Sequence, residues 1–382
     1  MAAMRTKLTT DWYKRKTLQI QSRLADEQLD GLLLLDPYNV YYATGFFHQS
    51  TERPLGFYIP AQGEGRFYVP HLEKEMAEDT WVQDVRHYFD FPGNPPVLHW
   101  MLKDIHLKHL GVDTLEVRQW KALHAMGWHP QISDLVYTMR LVKDIEEIEI
   151  LDTASVYADN MVAMTREAIM QKMSEIEAFN YARDMTVQRM QEEMGELTFV
   201  NQGLVNGAVL YGSHAAHPHG LISDRKPQPG DAIEAAFGAL VYTYESESEH
   251  TFLYGEPSKQ TVSYFNAMLA AWQAGMQAAK PGVTCAEVNK AALDAIRDAG
   301  YEQYLRHRMG HGKGLQEHEA PWVEAGDQTV LQPGMVISDE PGLYVPGYGG
   351  FRHSDTLVIT EDGCRRMTHY PRDLESCIIP LS

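Results

Sequence analysis

From Met309 to Asp355 three runs follow one another: GHGKGLQEHEAP (Gly310–Pro321), PGMVISDEPGLYVPG (Pro333–Gly347) and FRHSDT (Phe351–Thr356). They carry two histidines, His311 and His318, a glutamate in a strand-like run, Glu340, and a later polar strand around His353. Such groups, set among short apolar strands, converge only when the chain folds them into one acid-lined site. The rest of the chain must then act as a scaffold that completes it. No other feature restricts the fold as much.

The chain can supply that scaffold. Its 382 residues are enough for two domains with real cores, and 44% hydrophobic with 22% charged residues suits a soluble globular protein. The formal net charge of −19 argues against nucleic acid or an anionic membrane surface as a partner, since both need basic patches. It suits a site that attracts a cationic or zwitterionic small molecule, although surface acidity for solubility accounts for much of it. Cys285, Cys364 and Cys377 share no metal-like spacing, and three cysteines make no disulfide framework. The opening MAAMRTKLTTDWYKRK has no signal-type apolar core, and no apolar run approaches the ~18 residues of a membrane span. A cytoplasmic protein is expected.

In chain order, Trp12–Glu27 reads as helix, and Gly31–Asp36 (GLLLLD) as a short buried strand. Further strands are expected at Phe57–Ile59, Arg66–Pro70 and His109–Val112, with a loop at Gly93–Pro96. Strands alternating with helices imply an α/β layer domain. A boundary is placed near Met139, giving domains at 1–139 and 140–382. Ile145, Ile148 and Leu151 at helical spacing open a long helical region to about Glu193, and from Leu197 the character turns to strand and loop. Strands follow at Ala232–Phe237 and Val241–Leu253. Phe265, Met268, Trp272 and Met276 form one face of a helix, a core stripe, which Lys280-Pro281-Gly282 stops. Thr284–Glu287 (TCAE) opens another helix with a capping box, ending at Gly300.

On the second of those strands Glu245, Glu247 and Glu249 alternate with Tyr244, Ser246 and Ser248, so the three carboxylates share one face. On an exposed strand this is a solvated acidic edge. On a central strand, as the apolar flanks suggest, it demands a cation, a metal or shared protons. Histidines are dense in the same part of the chain: His214, His217, His219, His250, His311, His318 and His353. Any one alone is more often structural, but the cluster points to ligands or proton carriers. The spacing of His311 and His318 is not that of a helical zinc pair, and no phosphate loop or G-x-S-x-G elbow is present.

PHGLISDRKPQPGD (Pro218–Asp231), GHGKGLQEHEAPW (Gly310–Trp322), VLQPGMVISDEPGLYVPG (Val330–Gly347) and RHSDTLVITEDG (Arg352–Gly363) resemble, in order and spacing, the pita-bread hydrolases: prolidase, aminopeptidase P, methionine aminopeptidase and creatinase. The N-terminal part resembles the creatinase-type domain of the prolidase branch. The resemblance implies an α/β (α+β) chain, with a creatinase-type domain followed by a pita-bread domain.

It also implies a ligand set, because the family's metallopeptidases hold two divalent metals with Asp, Asp, His, Glu and Glu. Carried onto this chain those positions are Ala236, Glu247, His311, Glu340 and Ser354. Two anionic bridges are missing. The resemblance is therefore sharper to creatinase, the metal-free branch: His219 falls at its catalytic histidine, Glu249 and Glu340 at its substrate-binding glutamates, and Arg53-Pro54 at the loop that reaches a neighbouring subunit. Glu324 stands where creatinase has an arginine, and the surroundings of His311 and His318 look like prolidase.

The expectation is a metal-independent hydrolase cleaving a C–N bond of a small cationic or zwitterionic amino-acid-like or amidino compound. Its catalytic residues would be His219, Glu249, Glu340 and His318, with Arg53, His311, Glu247, His353 and Trp322 binding substrate. No cofactor is expected; the alternative is an Xaa-Pro dipeptidase or aminopeptidase with one Mn, Fe, Co or Zn ion on Glu247, His311 and Glu340. A lyase on a zwitterionic substrate and a degenerate binding module are the remaining alternatives. A homodimer is implied, with the Gly45–Pro54 loop crossing to the other subunit.

Overall fold

The computed structural model describes residues 7–48, 51–89, 96–195 and 203–381. Most of the expected loop at Gly93–Pro96, and the stretch 197–202, lie outside them. The chain divides into two compact units, Lys7–Arg140 and one that begins at Leu141.

In the first unit the helix Thr10–Arg23 is N-capped by Thr9, whose side chain accepts from the Trp12 amide. The short apolar runs form β1 (Gly31–Leu34), β2 (Gly56–Pro60), β3 (Arg66–Pro70), β4 (Asp84–Tyr88) and β5 (Leu110–Val112), followed by β6 (Gln131–Ile132). They make one mixed sheet in the order β4-β3-β2-β1-β5-β6. Its central strand β1 is buried at every position. Leu33, Tyr58, Tyr68, Met101 and Val112 belong to one hydrophobic cluster. A helix absent from the sequence reading, Pro37–Thr44, is started by Asp36, which accepts from the Tyr38 and Asn39 amides. It ends at Gly45, in the left-handed region at φ 79°.

In the second unit the single helical region expected before Glu193 is two helices, Ile145–Met170 and Glu175–Met194. Lys172 turns to φ 57° between them, and a Ser174–Glu177 capping box starts the second. The strands are β7 (Val205–Tyr211), β8 (Ala232–Val241), β9 (Tyr244–Tyr254), β10 (Gly310–Gly312), β11 (Glu319–Val323), β12 (Val336–Asp339), β13 (Gly342–Val345), β14 (Gly349–Arg352), β15 (Ser354–Ile359), β16 (Cys364–Arg366) and β17 (Ile378–Ile379). The main sheet runs β11-β10-β12-β15-β9-β8-β7, with β16 added beside β15 and β17 beside β9, while β13 and β14 form a separate ribbon. Phe265 and Met268 are core residues of the helix Lys259–Ala278, as their spacing predicts. The capping box at Thr284 starts the helix Cys285–Asp298.

Strands β8 and β9 are one hairpin. Its two-residue turn, Tyr242 and Thr243, has both residues at positive φ (47° and 69°) without a glycine. Every residue of β9 is buried, which rules out the solvated-edge reading of its glutamates. The alternate face meets the helix Ile145–Met170: the Ser155 and Ser246 hydroxyls are 2.6 Å apart, Ser248 donates to Asp159, and Tyr244 donates to Glu147. Glu245, Glu247 and Glu249 are thereby turned to the opposite side, where the cleft lies.

Candidate active site

A cleft of about 910 Å³ opens in the second unit. Its floor carries Glu245, Glu247 and Glu249 of β9, His311 of β10, Glu340 just past β12, and Arg352 at the end of β14. His219 and His318 are exposed on its walls, and Arg306, His307 and Arg308 line another part of it.

Short chain segments fix these positions. β12 pairs with β15 and β15 with β9, which places Ser354 opposite Glu249. Across the hairpin Ala236 also stands opposite Glu249, and Gly238 opposite Glu247. A Cβ on Gly238 would come within 2.2 Å of Glu245 Oε1 and 2.4 Å of Asn206 Oδ1, so glycine is what lets the glutamate fit.

His311 is the pivot. Its Nδ1 lies 3.0 Å from the Gly312 carbonyl, which can only accept, so Nδ1 carries a proton. Nε2 then faces Glu340 Oε1 at 3.0 Å and Glu247 Oε2 at 3.8 Å, buried and without an aligned hydrogen bond. A lone pair opposed to two carboxylates calls for a proton or a metal cation between them. Burial works against charge on His311, but Glu340 and Glu247 hold its pKa above the usual imidazole value. Burial likewise works against Glu340, and His311 more than reverses this, leaving the carboxyl well below its usual range.

The remaining carboxylates have internal partners. Lys313, wholly buried, places Nζ 3.0 Å from Glu247 Oε2 and 3.3 Å from Glu245 Oε1. Ser354 donates to Glu247 Oε1 at 2.6 Å. Arg352 Nε lies 2.6 Å from Glu249 Oε2, an ion pair without hydrogen-bond alignment, and Nη2 meets Glu234 Oε1 at 2.5 Å. Burial pushes Glu234 up to about 7 and Glu249 well above its usual value, against the opposing pull of Arg352 in both cases. Glu249 is thus engaged inside the protein, whereas the sequence reading gave it to a substrate cation.

Two expected binding residues of the second unit do not line the cleft. Trp322 packs under the Arg308 guanidinium, 4.6 Å from its ring centroid. His353 is wholly buried against His250, with ring centroids 4.7 Å apart, and against Phe265. His250, His353 and Cys377 bring ligand atoms within 4.8 Å of one another. However, Arg372 donates to His250 Nδ1 and the Thr251 amide to His353 Nδ1, so both rings carry their proton on Nε2 and offer an ion no lone pair. Burial holds both pKa values well below the usual one. Arg53 belongs to the first unit, where it pairs with Glu52 at 2.5 Å.

Lys313, Arg352, Glu234, Arg306 and Arg308 were not singled out from the sequence. Lys313 and Arg352 both sit inside quoted motifs. A lysine between two glycines, and an arginine entering a buried strand, were the available signals.

Comparison with known proteins agrees with this geometry. Residues 149–361 match Metallopeptidase family M24, and residues 16–142 match the Creatinase/Prolidase N-terminal domain. The chain belongs to the M24 metallopeptidase family, the pita-bread hydrolases. It is 32% identical to the Xaa-Pro dipeptidase of Pyrococcus furiosus, over 94% of this chain and 99% of that protein. The prolidase structure from Pyrococcus horikoshii OT3 superposes with a TM-score of 0.82 at 30% identity, covering 94% of this chain and 99% of that one. The dipeptidase PepE structure from Mycobacterium ulcerans gives a TM-score of 0.85 at 29% identity, covering 98% and 100%.

These findings overturn the expectation of no cofactor. The family is one of metallopeptidases, and Glu247, His311 and Glu340 converge with ligand atoms within 4.8 Å of one another. The three fit a single divalent ion: two carboxylates and an imidazole whose free nitrogen faces both. Ala236 and Ser354, at two positions where the resemblance implies carboxylate ligands, carry a methyl and a hydroxyl instead.

Proposed function

We propose that this protein is an Xaa-Pro dipeptidase-type hydrolase whose cleft takes one divalent metal ion on Glu247, His311 and Glu340. The observation that carries the reading is the convergence of these three buried side chains on the floor of the cleft, in a chain that parallels Xaa-Pro dipeptidases over nearly its whole length. Such an ion supplies Lewis-acid polarisation of a peptide carbonyl.

The chain's own groups do the rest. The Gly312 carbonyl fixes the His311 ring, and Ser354 fixes one oxygen of Glu247. His318, its ring 4.0 Å from that of His311, and His219 are the imidazoles placed to take a proton from the attacking water and return it to the leaving nitrogen. The Arg306–Arg308 wall suits a substrate carboxylate, so a small substrate is oriented there by charge. A homodimer in which the Gly45–Pro54 loop carries Arg53 to the second protomer belongs to the same reading; residues 49–50 of that loop lie outside the described residues. A cytoplasmic location accords with Cys285, Cys364 and Cys377 all being free thiols.

The test is hydrolysis of a panel of Xaa-Pro dipeptides by protein loaded with Mn, Fe, Co or Zn, before and after chelation. Turnover is expected only with metal, and Glu340→Gln should lower kcat/KM at least ~100-fold with folding unchanged. Turnover indifferent to the chelator, or none with any metal, would sink the reading.

A further inference from the structure

Glu247 has no oxygen to spare. Ser354 occupies Oε1 and the Lys313 ammonium occupies Oε2, the same oxygen that faces His311. Lys313 is anchored there: its Nζ also donates to the Glu317 carbonyl at 2.9 Å and contacts Glu245, and the side chain is fully buried. Ala236 and Ser354, both paired with Glu249 further along the row, add no negative charge to the floor. One end of the carboxylate row thus ends in a fixed ammonium, the other in the Arg352 guanidinium shared by Glu234 and Glu249.

We propose that Lys313 is a built-in cation that competes with the divalent ion for Glu247 Oε2, the oxygen that also faces His311. The inference rests on the one-ion reading above and adds a positioning residue to it. Two cations sharing one carboxylate oxygen repel each other through a poorly screened interior, so a bound ion must displace the ammonium or bind against its field. A neutral side chain of similar length removes that competition and keeps the packing volume.

The experiment is equilibrium titration with Mn²⁺, following stoichiometry and Kd on the full-length wild type, Lys313→Met and Lys313→Arg, with circular dichroism as the folding control. The wild type is expected to bind one equivalent. K313M should bind one equivalent at least tenfold more tightly, and K313R should stay near the wild-type Kd. Mn²⁺ is chosen because a thioether is a poor ligand for so hard an ion. If the wild type binds none and K313M binds one, the one-ion reading of the native enzyme fails and the role of Lys313 stands. An unchanged Kd in K313M, or no binding by either protein, overturns the inference. Should K313M fail to fold, Lys313→Leu takes its place: Mn²⁺ binding at least tenfold tighter than wild type supports the inference, and an unchanged Kd overturns it.

Discussion

Asp113 follows directly on β5 and handles a partly buried carboxylate differently from the cleft. There, Glu249 and Glu234 lean on a guanidinium. Among the described residues no cation pairs with Asp113; it accepts from the Leu35 amide at 2.7 Å, the Asp36 amide at 3.2 Å and Asn39 Nδ2 at 3.0 Å. Burial outweighs these three donors and raises its pKa from 3.8 to about 6. The sign follows. Between those values the folded chain holds a proton that the unfolded chain has released, so stability falls as pH rises through the window and stays lower above it. The shift amounts to roughly 3 kcal/mol. Asp113→Asn removes this titration, whatever it costs in lost acceptors. Urea unfolding at pH 4, 5, 6 and 7 should therefore show the wild type losing up to about 3 kcal/mol more than D113N across the range. Parallel pH profiles would refute the assignment.

At the scale of elements, β9 was the most legible part of the sequence, because strict alternation states which side chains share a face wherever the strand is placed. The alternation did not show whether that face was wet or dry; pairing with β8 on one side and with the sequence-distant β15 on the other decided that. Two other elements escaped for local reasons. Pro37–Thr44 is short, and its start signal, Asp36-Pro37, also ends the apolar GLLLLD run. The Tyr242–Thr243 turn has none of the Asn-Gly chemistry that marks such hairpins, so one hairpin read as two strands. The entry to the helix Ile145–Met170 is likewise held from a distance. Lys143 Nζ lies 2.8 Å from Glu319 Oε1 at the start of β11, both nearly fully buried, and the Lys143 amide donates to the Gly334 carbonyl. Lys143→Met would take the ammonium away from the buried Glu319 carboxylate, at a cost of about 3–5 kcal/mol. Lys143→Met with Glu319→Gln should recover part of it. Denaturant midpoints of the two variants check this, and equal losses would show that the ion pair does not set the cost.

For the whole molecule, four runs in order and spacing suggested the family that the M24 match over residues 149–361 shows. The cofactor needed the third dimension. Counting missing ligands argued for no metal, whereas the facing of His311 Nε2 toward two carboxylates, visible only once β10, β12 and β9 are side by side, argues for one ion. The two units also contain separate hydrophobic clusters: Leu33, Tyr58 and Val112 in the first, and Met309, Ile337 and Leu357 with Phe265, Met268 and Phe351 in the second. Asp113 and Lys143 lie in different units, and the partners named for one are not those of the other. Substitutions without a common partner act nearly additively, and local opening follows the packed unit in which they lie. Hydrogen exchange at pH 7 should therefore show D113N changing amide exchange in β1 and β5 while leaving β10, β12 and β15 near wild-type rates. K143M should do the reverse, and the double variant should show the two patterns superposed. If D113N altered exchange in β12 and β15 as much as in β1 and β5, the chain would be a single cooperative unit, and its two halves could not be tuned separately.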